Sequence, residues 1–91
     1  MARIFMTHQV TDYAKWKATY DADAERRAGA GLRDAGHFHH TADENNFLIV
    51  WDVDADVDGA TAMINGMMSD PNLGKVMEEA GVVGKPEFWV A

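Results

Sequence analysis

The sequence of 91 residues predicts an α+β fold of the order β-α-β-β-α-β around one four-stranded antiparallel sheet. Three observations carry this. Apolar side chains alternate with a period of two over Ala2–Val10 and switch to helical spacing at Tyr13. The most apolar run, Phe47–Val53, follows a cluster of turn-forming residues. A second amphipathic segment, interrupted at Ser69-Asp70-Pro71, leads into a short apolar strand at the end.

In the first strand Ile4, Met6, His8 and Val10 share one face, and Arg3, Phe5, Thr7 and Gln9 the other. The first set is the more apolar and is assigned to the core. Asp12 is suited to cap a helix, which continues with Tyr13, Trp16, Tyr20 and Ala24 inward. Arg26 and Arg27 lie in its last turn, where cations favour the helix dipole, and Gly29-Ala30-Gly31 ends it. Leu32 to Thr41 is a more polar strand, with His37 and His39 on one face and Gly36, Phe38 and His40 on the other. Asp43-Glu44-Asn45-Asn46 reads as a turn, so the second and third strands form a hairpin. Phe47 to Val53 is expected as a central strand buried on both sides, with Phe47, Ile49, Trp51 and Val53 on one face.

A second helix is expected from the Asp54-Ala55-Asp56 corner to about Met68, with Val57, Ala60, Met63, Ile64 and Met67 inward. Asp70 and Pro71 restart it, as cap and first helical residue, and Leu73, Val76, Met77 and Ala80 are the positions to be buried. Gly81 ends this turn. Val82–Pro86 reads as a connector and Glu87–Val90 as the last strand, which completes the split β-α-β arrangement of ferredoxin-like domains.

Ninety-one residues suffice for a single domain, residues 1–91, with a small core that a partner subunit would strengthen. A formal charge of −7 repels phosphate backbones and anionic lipid, which argues against nucleic acid and membrane surfaces as partners. Cysteine is absent, so disulfides and thiolate metal sites are excluded. Neither a signal-peptide pattern nor an apolar run of membrane-spanning length is visible, and a cytoplasmic location is the default expectation.

Three stretches resemble one family. They are Val10-Thr-Asp-Tyr-Ala-Lys-Trp16 directly after the first strand, the restart Ser69-Asp70-Pro71-Asn72-Leu73, and the helix end Met77-Glu78-Glu79-Ala80-Gly81-Val82. With the element order, they make the chain similar to the dimeric α+β barrel superfamily, which includes antibiotic-biosynthesis monooxygenase-like and polyketide cyclase-like small proteins. The resemblance implies a homodimer in which two sheets close face to face, and a small-molecule cavity between each sheet and its own helices. Ile4, Met6, His8, Trp16, Tyr20, Phe47, Ile49, Trp51 and Leu73 are the positions it places around that cavity. Activities within the group differ widely, so the likeness specifies the fold better than the reaction.

His8 is the leading candidate for chemistry, because an imidazole in an apolar cavity can transfer protons near neutral pH. The competing reading is a core histidine satisfied by a carbonyl or a tyrosine hydroxyl. Tyr20 and Tyr13 are its helix-borne candidate partners. His37 and His39, two apart on a strand, can chelate a transition metal, but no third ligand has a fixed spacing to them, so no metal site is assigned. Asp54, Asp56, Asp58 and Gly59 imitate the opening of a calcium loop, yet position twelve is Asn65, and an acidic helix start is the simpler reading. Trp16, Trp51, Trp89 and the methionines fit core or interface packing as well as an aromatic-binding cavity. No catalytic triad, paired catalytic carboxylates or nucleotide-binding glycine pattern is present.

These readings converge on a small-molecule barrel protein. Met6, Trp16, Phe47, Ile49, Trp51 and Leu73 are expected to contact a small hydrophobic or aromatic ligand, and His8 with Tyr20 to perform cofactor-independent cyclase-, isomerase- or monooxygenase-like chemistry. The alternative is a non-catalytic accessory protein that binds a small molecule or a metal.

Overall fold

The computed structural model describes residues 1–91 in the order β1 (Ala2–Val10), α1 (Tyr13–Ala22), α2 (Ala24–Gly29), β2 (Leu32–His40), β3 (Asp43–Val53), α3 (Val57–Ser69), α4 (Pro71–Glu79) and β4 (Val82–Val90). The sheet is antiparallel with strand order β2-β3-β1-β4, so the two most apolar strands take the centre. All four helices cover one face. Ile4, Met6 and Val10 of β1 and Phe47, Ile49, Trp51 and Val53 of β3 form the floor of the core, which Trp16, Ala60, Ile64 and Ala80 close from the helices. Burying this apolar surface, at roughly 25 cal/mol per Å², is the main force holding helices to sheet.

Several boundaries differ from the sequence reading, each for a local reason. β3 begins at Asp43, because Thr41 and Ala42 alone make the turn and the Asp43 carboxylate accepts from the Asn45 N–H (3.0 Å) within the strand. The expected single first helix divides at Asp23, whose carboxylate is held by Arg26 at 2.7–2.9 Å. Beyond this break Ala24 is exposed and Arg27 occupies the buried position instead. β4 starts at Val82 and absorbs the expected connector as a bulge, since Thr7 pairs with Glu87 while Gln9 pairs with Val83. Val57 is exposed at the start of α3, where Asp56 caps by accepting from the Gly59 N–H at 2.8 Å. Asp54 meanwhile pairs with Arg33 at 2.8 Å, so the calcium-like acidic run serves as helix cap and ion pair.

A further bulge lies in β2. Asp34 pairs with Trp51 and Gly36 with the adjacent Val50, so Ala35 is an extra residue. The extra residue changes the alternation, so that Leu32 and Asp34 before it and His37 and His39 after it all lie on the helix side. On the opposite face of the sheet Phe38, Val83 and Trp89 stay largely exposed, beside half-buried Phe5 and Leu48. No helix is long and apolar enough to cross a membrane.

Gly81 joins α4 to β4 with φ of 89°, and a Cβ there would approach the Thr11 hydroxyl oxygen to 2.6 Å. Its carbonyl accepts from the Thr11 N–H at 3.0 Å, which locks the end of β1 to the start of β4. Gly81→Ala is therefore expected to destabilise the protein by about 1–3 kcal/mol in urea unfolding, with the spectrum of the folded state unchanged.

A cleft between the helices with one unpaired histidine

Between α1–α2 and α3–α4 the helices leave a cleft whose cavity volume is about 80 Å³. Its walls are mostly apolar: Met6 and Trp51 from the sheet, Trp16 from α1, Met67 and Met68 from α3, and Leu73, Val76 and Met77 from α4. The expected burial of Leu73, Val76 and Met77 is only partial, and Val76 is exposed, because these side chains face the open cleft while Ala80 alone of that set is buried. A second hollow, of about 320 Å³, lies beside α4 and is lined by Gly74, Glu78, Gly84 and Lys85 among others. Its titratable residues, Glu78 and Lys85, are exposed, so it lacks the desolvated groups on which chemistry depends.

His8 lines the first cleft and is only 4 % exposed. Its imidazole packs edge-on to Trp16 and Phe47, each 5.8 Å away between ring centroids. Nδ1 is sealed from solvent and has no hydrogen-bond partner. The main chain opposite is the β4 bulge, where Gly84 adopts φ of 71° and Pro86 lacks an N–H. With no carboxylate at hand, burial alone lowers the His8 pKa from 6.5 to about 4.

Neither tyrosine is hydrogen-bonded to His8. The Tyr20 hydroxyl donates to Asp34 Oδ1 (2.9 Å) and accepts from the Trp51 indole N–H (2.8 Å). Burial is the largest cause of a Tyr20 pKa pushed up to about 12, to which Asp34 adds against the opposing effects of Trp51 and Arg27. Tyr20 is thus a neutral hydrogen-bonded link between helix and sheet. The Tyr13 hydroxyl lies 3.3 Å from His37 Nε2, and its ring meets His39 edge-on at 4.5 Å. His39 Nδ1 donates to the Glu44 carbonyl at 2.8 Å, and burial lowers the pKa of His37. These two histidines share the sheet face of His8, but Phe47 pairs with His8 on one side and His39 on the other and stands between them. No group of three or more His, Asp or Glu side chains gathers where a metal ion could be held.

Of the residues expected to contact a ligand, Met6, Trp16, Trp51 and Leu73 line the cleft with His8 and Tyr20. Phe47 and Ile49 lie deeper, in the floor of the core, at 2 % and 1 % exposure. Arg27 was not anticipated. Its guanidinium is buried, lines the cleft, lies 3.4 Å from the centre of the Tyr20 ring and donates to the Tyr20 carbonyl. The available signal was the seven-residue spacing from Tyr20, which puts both on one face of the uninterrupted helix that the sequence suggests.

The His8 environment has a measurable consequence. The unfolded chain takes up a proton at His8 near pH 6.5, whereas the folded protein resists until about pH 4. Stability from this site is complete above pH 6.5 and is lost as pH falls toward 4, by about 3 kcal/mol in total. Urea unfolding at a series of pH values is expected to show a wild-type loss across this window that His8→Leu reduces, the remainder belonging to other groups such as His37.

No family model and no curated protein matches the chain. Solved structures do. An uncharacterized NIPSNAP domain protein from Burkholderia xenovorans aligns with TM-score 0.64 and 15 % identity, over 100 % of this chain and 92 % of that one. An antibiotic biosynthesis monooxygenase aligns with TM-score 0.63 and 9 % identity, over 100 % and 96 % of the two chains. A dimeric ferredoxin-like protein from an uncultured marine organism aligns with TM-score 0.56 and 13 % identity, over 98 % and 84 %. At such identities the likeness is one of fold. The chain therefore has the ferredoxin-like α+β fold of these proteins.

Proposed function

We propose that this protein takes a small apolar or aromatic molecule into the cleft and moves a proton on it with His8 as the base, without a cofactor, as in an isomerisation or cyclisation. The observation that supports this most directly is the buried His8 imidazole, which has no hydrogen-bond partner at Nδ1 and lines a mostly apolar cleft. A pKa near 4 means that the ring is neutral at pH 7 and begins a reaction as a base. The mostly apolar walls give the imidazole few competitors for the ligand's proton. Tyr20, already engaged through its hydroxyl, has the role of holding Trp51 and Trp16 as walls rather than that of a second acid. The absence of a group orienting Nδ1 favours one second reading, a protein that binds such a ligand without converting it.

The enolisable bicyclic ketone 2-indanone separates the two. Proton transfer by His8 predicts that the protein accelerates exchange of the ketone's α-protons with D₂O, followed by NMR, and that His8→Leu loses about 100-fold or more of this rate. Equal rates for the two proteins, with the ketone bound by both, would leave only the binding reading.

The same reading includes a homodimer formed through the sheet face that carries no helices. Support comes from exposed Phe38 (57 %), Trp89 (52 %) and Val83 (52 %) on that face, from the small core, and from the neighbour described as dimeric. Light scattering at micromolar concentration is expected to give twice 10.1 kDa, and the double substitution Phe38→Glu with Trp89→Glu to give the monomer mass. A wild-type mass near 10.1 kDa would remove the dimer from the reading.

A further inference from the structure

Resting on the reading of the cleft as a ligand site, we infer that Arg27 is an anion anchor within it and that the ligand is a flat apolar molecule bearing one acidic group, such as an aryl carboxylate. Arg3, Arg26 and Arg33 are exposed and each pairs with a carboxylate, Asp52, Asp23 and Asp54 respectively, at 2.7–2.8 Å. Arg27 inverts the pattern: it is the one buried arginine, 5 % exposed, and it forms no ion pair. A buried cation is ordinarily compensated by a carboxylate, because the loss of hydration is otherwise large.

What compensates Arg27 within the chain is weaker. It lies over the Tyr20 ring and donates to the Tyr20 carbonyl, which leaves other N–H groups of a guanidinium that carries five. None of its nitrogens is both sealed and unpaired, so the unused donors are not closed off, and Arg27 lines the cleft. The nearby carboxylates are already engaged. Asp23, which also lines the cleft, is paired with Arg26, and Asp34 accepts from the Tyr20 hydroxyl.

The arrangement therefore offers a planar cation, held over an aromatic ring, at the border of a mostly apolar space. A guanidinium binds a carboxylate through two parallel hydrogen bonds, and Trp16, Leu73 and the methionines supply contact for an apolar body. The net charge of −7 would repel a free anion at long range, so selection of an acid depends on contact with Arg27.

Benzoate and benzamide, equal in shape and different in charge, are suitable probes for titration of the ¹⁵N-labelled full chain by NMR. Benzoate is expected to bind about tenfold more tightly, to shift the Arg27 Nε–H resonance where benzamide does not, and to lose its advantage in Arg27→Gln while benzamide affinity stays the same. Equal affinities with no selective Arg27 shift would overturn this inference and leave the cleft as a site for neutral ligands. A benzoate preference that survives in Arg27→Gln would also overturn it. Failure of both probes to bind would remove the cleft reading and the anchor together.

Discussion

Tyr20 ties four elements of this molecule together, α1, α2, β2 and β3. Its hydroxyl connects α1 to Asp34 on β2 and to Trp51 on β3, its ring stacks on Trp16 at 4.6 Å, and its carbonyl and ring both receive Arg27 from α2. The position of α1 on the sheet, the break at Asp23 and the burial of a cation therefore converge on one side chain. Each contact alone is worth on the order of 1 kcal/mol. Together they set the wall of the cleft, because Trp16 and Trp51 are held by the same phenol that Arg27 covers.

The cleft holds two incompletely compensated groups of different kinds. His8 meets its burial by staying neutral, with a pKa near 4 and an unpaired Nδ1. Arg27 relies on a π face and a carbonyl. Both arrangements cost stability that an apolar core of the same size would retain, and both lie on one small space between the helices. Elsewhere the charges are ordinary: four ion pairs at the surface, with at least one well-exposed partner in each, contribute little to folding.

The sheet is asymmetric in a way that follows from its bulges. The extra residue at Ala35 directs His37 and His39 to the helix side and Phe38 to the open side, where Phe38 folds across Gly36. The bulge at Gly84–Pro86 stands opposite His8 and interrupts the β1–β4 ladder at the histidine. Bulges thus determine both which face carries exposed aromatic side chains and where the strand bearing His8 departs from regular pairing.

The order of strands and helices, the inward face of β1 with His8, the Asp12 and Asp70 caps and the Gly81 stop were legible because periodicity and capping are local properties, written in residues a few positions apart. Trp16, Trp51, Met6 and Leu73 could be placed at the cleft from register and the family resemblance. What the tertiary structure decided depends on contacts across long separations. Tyr20 was free to be paired with His8 until Asp34 and Trp51 took its hydroxyl, and Phe47 and Ile49 face inward as expected yet lie beneath the cleft because other side chains cover them. Arg27 reads in the sequence as a helix-ending cation; only the folded chain shows it buried over Tyr20 without an ion pair, since neither burial nor the lack of an ion pair is a property of neighbours along the chain.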